Sequence, residues 1–146
     1  MADVERFNLL GFDVRLLDGG ADAAFSVQEW RAPGGAGGIP IHLHHRTEEA
    51  FYVVDGEIAL WLDDRSAVHR RGSYIVVPQG RSHTFWHPAD QPATYLTVIS
   101  PSGFERYLAE LASGLRHVVT DEEAAALRNQ LSAAHDITVV GPPQVP

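Results

Sequence analysis

The stretch GIPIHLHHRTEEAFYVVDG, residues 38–56, decides the fold of this chain. His42 and His44 are two positions apart, so on an extended strand both side chains point to the same face. Glu49 opens the next apolar run, and the polar residues 45–48 suit a short turn. If the second strand folds back on the first, Glu49 lies beside the two imidazoles. Two neutral imidazoles and a carboxylate make a facial site for a divalent metal and leave coordination positions open.

A second stretch, GSYIVVPQGRSHTFWH at residues 72–87, supplies a further candidate ligand. Its apolar first part, residues 72–77, predicts a buried strand, and Pro78-Gln79-Gly80 predicts a turn. His83 begins the strand that follows the turn. We therefore expect His83 to add a third imidazole to the site.

These two stretches resemble the paired sequence motifs of the cupins. The matching positions, all at the family's spacing, are His42, His44, Glu49 and Gly56 in the first motif and Gly72, Pro78, Gly80 and His83 in the second. Two positions depart from the pattern. Ala36, flanked by Gly35 and Gly37, stands where the first motif has glycine, and His87 stands where the second motif has asparagine.

The resemblance is to single-domain bacterial cupins of the quercetin-dioxygenase-like type. It implies one divalent transition metal per chain, held by His42, His44, Glu49 and His83, with Glu49 also able to act as a catalytic base. Imidazole and carboxylate ligands suit iron, manganese, nickel, cobalt, copper and zinc alike, so the motifs leave the metal open. The implied activity is a metal-dependent dioxygenase acting on a small enolisable or phenolic substrate.

Two other functions stay open because a fold does not determine the chemistry that it hosts. One is a redox-neutral cyclase or isomerase of small-molecule biosynthesis. The other is a small-ligand-binding protein without turnover. Dependence on dioxygen separates the oxygenase from the cyclase or isomerase, and ligand binding without product is typical of the third.

The remainder of the chain predicts an all-β domain followed by helices. Many short strands separated by turn residues indicate a sandwich or barrel, and the cupin resemblance makes this a small jelly-roll barrel over roughly residues 10–100. Ser102 with Glu105 and Thr120 with Glu123 form capping-box patterns, which predict two amphipathic helices that cover the barrel or form a dimer contact. Residues 137–146 are expected to add an edge strand or to stay loose. We expect residues 1–146 to form a single cupin domain.

Strand parity also gives candidate residues for a substrate pocket inside the barrel. They are Phe51, Val53, Tyr74, Phe85 and His87, and plain core packing is the alternative for the apolar ones. His87 shares its parity with His83, but four extended residues separate the two side chains by about 13 Å. We therefore expect His87 to contact substrate or support the pocket, and not to bind the metal.

Composition narrows the classes of partner. The chain of 146 residues has a net charge of −8, which disfavours nucleic acid and anionic membranes as partners. It contains no cysteine, hence no disulfide and no thiolate ligand. No apolar run approaches the ~20 residues of a membrane span, and no signal peptide is recognisable at the start. We expect a cytoplasmic homodimer that acts on a small molecule.

Overall fold

The computed structural model describes residues 5–143 and contains eleven strands and two helices in that range. The strands are β1 (Arg6–Leu9), β2 (Phe12–Asp18), β3 (Ser26–Ala32), β4 (Pro40–His44), β5 (Glu48–Asp55), β6 (Glu57–Leu62), β7 (Arg65–Arg70), β8 (Tyr74–Val77), β9 (His83–Trp86), β10 (Ala93–Ser100) and β11 (Ile137–Pro143). The helices are α1 (Phe104–Leu115) and α2 (Asp121–Ala134). Neither helix has the length and apolarity of a membrane span.

The strands form two antiparallel sheets with an apolar core between them. One sheet has the order β1-β2-β3-β10-β5-β8, and the other has the order β11-β4-β9-β6-β7. Phe51, Val53, Ile58, Leu60 and Tyr95 are buried between the two sheets and belong to one hydrophobic cluster. The predicted all-β jelly roll followed by C-terminal helices is confirmed.

The two strands of the first motif do not pair with each other. Strand β4 pairs with β9 and β11, whereas β5 pairs with β8 and β10 in the other sheet. Glu49 therefore faces the histidines from the opposite sheet instead of lying beside them in a ladder. A short polar turn fits a crossing between two sheets as well as a hairpin, so the sequence did not distinguish the two.

The turn at Gly56 also connects strands of different sheets. The chain passes there from β5 in one sheet to β6 in the other. Gly56 has a φ of +73°, and a Cβ at this position would lie 2.6 Å from the carbonyl oxygen of Pro92. Glycine is therefore required both by the backbone conformation and by the close approach of a neighbouring loop.

The predicted orientation of Tyr74 is also wrong. Tyr74 is paired with Tyr52 on the outer surface and is 66% exposed. Its strand partner β5 sends Glu49 and Phe51 inward, so the residues opposite them, Val77 and Ile75, are the ones that face the core. The apolar run from Tyr74 to Val77 shows no alternation, and only the register with β5 reveals which residues face inward.

Helix α1 covers one end of the six-stranded sheet. Leu108 and Leu111 pack with Phe7, Leu9 and Val14 of the first two strands in a second hydrophobic cluster. The apolar stripe predicted from the sequence is thus the buried face of α1. Of the two functions considered for the helices, covering the barrel is the one that this packing provides for α1.

One of the two predicted capping boxes is present and the other is absent. On α2 the box is present: Glu123 N donates to Thr120 Oγ1 at 3.2 Å, and Thr120 N donates to Glu123 Oε2 at 3.0 Å. On α1 the N-cap is Gly103, and the Ser102 hydroxyl donates instead to the carbonyl oxygens of Gly20 and Ala23. Ser102 therefore fastens the start of α1 to the loop between β2 and β3.

The C-terminal segment forms an edge strand, one of the two expectations for it. Strand β11 pairs with β4 and places Ile137 opposite His44 and Val139 opposite His42. The last residues of the predicted tail, 144–146, lie outside the described residues. Strand β11 thereby covers the outer edge of β4, the strand that carries two of the candidate ligands.

Candidate metal centre

The structure brings together all four residues that the sequence proposed as ligands. His42 and His44 lie on β4, His83 lies on the adjacent strand β9, and Glu49 lies on β5 of the opposite sheet. His42 is directly opposite His83 in the ladder. One potential ligand atom from each residue lies within 4.8 Å of the others, and all four side chains are buried.

Backbone carbonyls orient two of the imidazoles. His42 Nδ1 lies 2.9 Å from the carbonyl oxygen of Pro40, and His83 Nδ1 lies 3.0 Å from that of Arg81. A carbonyl oxygen only accepts hydrogen bonds, so each Nδ1 carries a proton and donates it. The Nε2 atom is then the one that each ring offers to a metal, which is the arrangement that histidines take at metal sites.

Glu49 lies among the imidazole nitrogens. Its Oε2 atom is 3.1 Å from His83 Nε2 and 3.5 Å from His44 Nε2. The His42 and His83 rings are in close contact, with centroids 4.3 Å apart. Four polar groups of this kind are held in an otherwise apolar interior, which is costly unless the groups share a proton or a cation.

The turn of the second motif supports the ligand strand. Gly80 adopts a φ of +77° after Pro78, and its N–H donates to the carbonyl oxygen of His44 at 2.7 Å. The loop after His44 is held by Asp136, which accepts from the N–H of Arg46 at 2.7 Å through its carboxylate. The Pro-x-Gly turn therefore fixes the backbone at a candidate ligand, which explains why a turn belongs to the motif.

Burial keeps two of the histidines neutral. Desolvation, helped by the charges of His83 and His44, lowers the pKa of His42 to about 3. Desolvation also lowers the pKa of His44, against the attraction of Glu49. At neutral pH both rings are therefore uncharged, as metal binding requires.

His83 and Glu49 form a charged pair in the absence of a cation. Burial acts to lower the pKa of His83, but the hydrogen bond and charge of Glu49 outweigh it and raise that pKa. Burial acts to raise the pKa of Glu49, but the hydrogen bond from His83 and the charges of the neighbouring histidines lower it. The donor set, three imidazoles and one carboxylate, fits a divalent transition metal that would displace the proton on His83.

A cavity of about 120 Å³ opens beside the cluster. His42, His44 and Glu49 form part of its wall, and most of the remainder is apolar. Helix α1 contributes Phe104, whose ring centroid lies 6.0 Å from that of His44. Other residues on the wall are Phe12, Trp30, Phe85, Thr97, Tyr107, Leu108, Leu111 and Arg128.

The five predicted pocket residues take three different positions. Phe85 lines this cavity, Phe51, Val53 and His87 are buried in the core without lining it, and Tyr74 faces outward. The contribution of the helices to the wall was not predicted from the sequence. The apolar stripe of α1 was the available signal, since a helix that covers a barrel end also closes the space beneath it.

His87 lies in an aromatic environment and away from the cluster's cavity. It is 1% exposed, and its ring packs on Phe12, Phe85 and Tyr95 at centroid distances of 5.5, 6.0 and 5.7 Å. Neither ring nitrogen has a hydrogen-bond partner among residues 5–143. Burial lowers its pKa to about 4, so the ring is neutral at physiological pH. A supporting role for His87 stays a prediction.

Comparison with known proteins agrees with this architecture. The family model described as a cupin domain matches residues 28–99. Quercetin 2,3-dioxygenase from Bacillus subtilis is 31% identical over 74 residues, which are 51% of this chain. The match spans only 18% of that relative's length.

Two solved structures of similar fold have identities of one quarter or slightly more. A sugar phosphate isomerase of the cupin superfamily from Silicibacter pomeroyi superposes with a TM-score of 0.61 at 25% identity, over 68% of this chain and 73% of that one. The polyketide cyclase RemF from Streptomyces resistomycificus superposes with a TM-score of 0.57 at 27% identity, over 67% of this chain and 74% of that one. With the two motifs, the two sheets and the domain match in agreement, the chain belongs to the cupin superfamily.

Proposed function

We propose that this protein is a metal-dependent oxygenase that acts on a small enolisable or phenolic substrate. The observation that carries the proposal is the buried convergence of His42, His44, Glu49 and His83 on the wall of a cavity. A divalent ion bound there would supply Lewis acidity toward an enolate or phenolate oxygen and, if redox-active, reactivity with dioxygen. The match to quercetin 2,3-dioxygenase supports the oxygenase among the functions considered.

The protein's own residues suit such a substrate. Glu49 has a lowered pKa and is therefore a carboxylate at neutral pH, able to accept a proton from an enolisable C–H or a phenolic O–H. The apolar wall, including Phe12, Phe85 and Phe104, packs against a ring or chain and excludes water. His42 and His44 are neutral, so each ring has a nitrogen lone pair that a metal could use.

Dioxygen uptake tests the proposal. Protein loaded in turn with iron, nickel, copper, manganese and cobalt is mixed with catechol, a single-ring phenol, or with acetylacetone, a small diketone. We expect dioxygen consumption to match substrate loss for at least one metal, and Glu49→Gln to lower the rate by about 10²-fold or more. Product formed equally fast without dioxygen would reject the oxygenase.

A redox-neutral cyclase or isomerase is the second candidate. The observation that favours it is the similarity, at 25% and 27% identity, to a sugar phosphate isomerase and a polyketide cyclase. Proton transfer by Glu49 would serve this chemistry as well, because enolisation begins both reaction types. Turnover under anaerobic conditions would support it, and tight binding without any product would support a non-catalytic binder instead.

Metal affinity is expected to fall as the pH falls. The pKa of His83 is raised, so below that pKa the metal must displace one proton from His83. Since His42 has a pKa of about 3 and that of His44 is lowered, neither competes near neutrality. The dissociation constant should therefore rise about tenfold for each unit of pH below the pKa of His83. Calorimetry in buffers of different ionisation enthalpy should detect close to one released proton per ion at pH 6, and release of none would count against this assignment.

A further inference from the structure

Arg128 of α2 has a buried donor atom that no residue of the described fold satisfies. Its Nε atom is buried and has no hydrogen-bond partner, and its side chain lines the same cavity as His42, His44 and Glu49. Among residues 5–143, no carboxylate forms a salt bridge with it. Arg128 as a whole is partly exposed. Its guanidinium stays charged at every relevant pH, and a buried N–H group without an acceptor is destabilising.

The neighbours of Arg128 do not neutralise its charge. Tyr107 lies on the same cavity wall, and its pKa is raised by burial despite the opposing effects of Ser132 and the charge of Arg128. Tyr107 is therefore a neutral phenol at physiological pH. The apolar side chains of Leu108, Leu111 and Leu115 lie on the same wall and offer no acceptor.

We propose that Arg128 binds a carboxylate group of the substrate, so that the cavity selects small organic monoanions with one apolar ring or a short apolar chain. A carboxylate satisfies the planar guanidinium with two parallel hydrogen bonds. A phosphate monoester would bring a second negative charge into a mostly apolar cavity. The volume of about 120 Å³ approaches that of an apolar cavity of about 150 Å³ known to hold benzene, so it suits a single ring.

The inference deepens the proposed function and depends on it in one respect. The binding of an anion by Arg128 stands on the cavity alone, whereas the identification of that anion as a substrate rests on the metal centre. A ligand anchored at Arg128 would present its other end to the wall formed by His42, His44 and Glu49.

Benzoate and benzamide test the inference because they share a shape and differ in charge. Dissociation constants for both are measured by saturation-transfer NMR on nickel-loaded protein, for the wild type, Arg128→Met, Arg128→Gln and Arg71→Met. Arg71 is exposed and its replacement makes the same change in net charge far from the cavity. We expect the wild type and Arg71→Met to prefer benzoate by about tenfold or more, and both Arg128 variants to lose that preference while benzamide binding changes less than about twofold.

Equal affinity of the wild type for benzoate and benzamide would overturn the inference. A preference for benzoate that survives in a folded Arg128 variant would also overturn it. Repeating the titrations on metal-free protein separates this inference from the proposed function. A benzoate preference that depends on Arg128 with and without nickel supports the inference even if the protein proves not to be a metalloenzyme. A preference that requires nickel and ignores Arg128 supports the metal centre and overturns the inference.

Discussion

Replacing His44 with alanine is expected to lower the affinity for a divalent metal by about a hundredfold or more and to leave the purified protein nearly metal-free. The binding free energy of a four-ligand structural zinc site is about 10–16 kcal/mol, so one ligand of four accounts for a few kcal/mol. His44 is buried, and its Nε2 lies 3.5 Å from Glu49 Oε2. Elemental analysis and competition with a fluorescent chelator measure the loss.

His45→Ala is the matched control for this experiment. His45 is the next residue in the chain, but its side chain is exposed and its Nε2 lies 2.7 Å from Thr138 Oγ1. The control should retain the wild-type metal content. If His44→Ala bound metal as tightly as His45→Ala, His44 would have no role as a ligand and the proposed centre would be wrong.

Replacing Phe51 with alanine is expected to lower the free energy of unfolding by about 3–5 kcal/mol. Phe51 is 0% exposed and packs between Phe85 and Tyr95, with ring centroids 5.4 and 6.2 Å away. Its removal leaves a cavity between the two sheets that the rigid ladders on both sides cannot close. Chemical denaturation of the metal-free protein measures the change without a contribution from bound metal.

Tyr52→Ala provides the comparison from the same strand. Tyr52 is 44% exposed and faces outward, so its replacement should cost less than about 1 kcal/mol. Similar losses for the two variants would mean that Phe51 is not part of the central core. Strand parity made Phe51 a candidate pocket residue, and a large loss of stability in Phe51→Ala would assign it to core packing instead.

Part of the ligand set was predictable from local periodicity. A spacing of two residues places His42 and His44 on one face of a strand, and this inference does not need the tertiary fold. His83 lies on a different strand, and it was the cupin resemblance that implied its place in the same site. The direction from which Glu49 approaches was not predictable, because Glu49 reaches the histidines from the opposite sheet. A polar turn of four residues does not show whether the next strand belongs to the same sheet or to the other one.

The cavity wall was less predictable for a related reason. The orientation of Tyr74 depended on the register of β8 against β5, because an apolar run without alternation leaves both faces open. Arg128 is far from the motifs in sequence and reaches the cavity through the packing of α2 on α1 and on β11. Spacing within a strand is encoded locally, whereas contacts between distant elements appear only when the chain is folded.

Anomalous diffraction from a crystal grown with nickel, with data collected at the nickel absorption edge, tests the central claim most directly. The account predicts one strong peak per chain, within about 2.3 Å of the Nε2 atoms of His42, His44 and His83 and of a carboxylate oxygen of Glu49. A peak elsewhere on the protein, or none at this cluster at neutral pH with excess nickel, would contradict it.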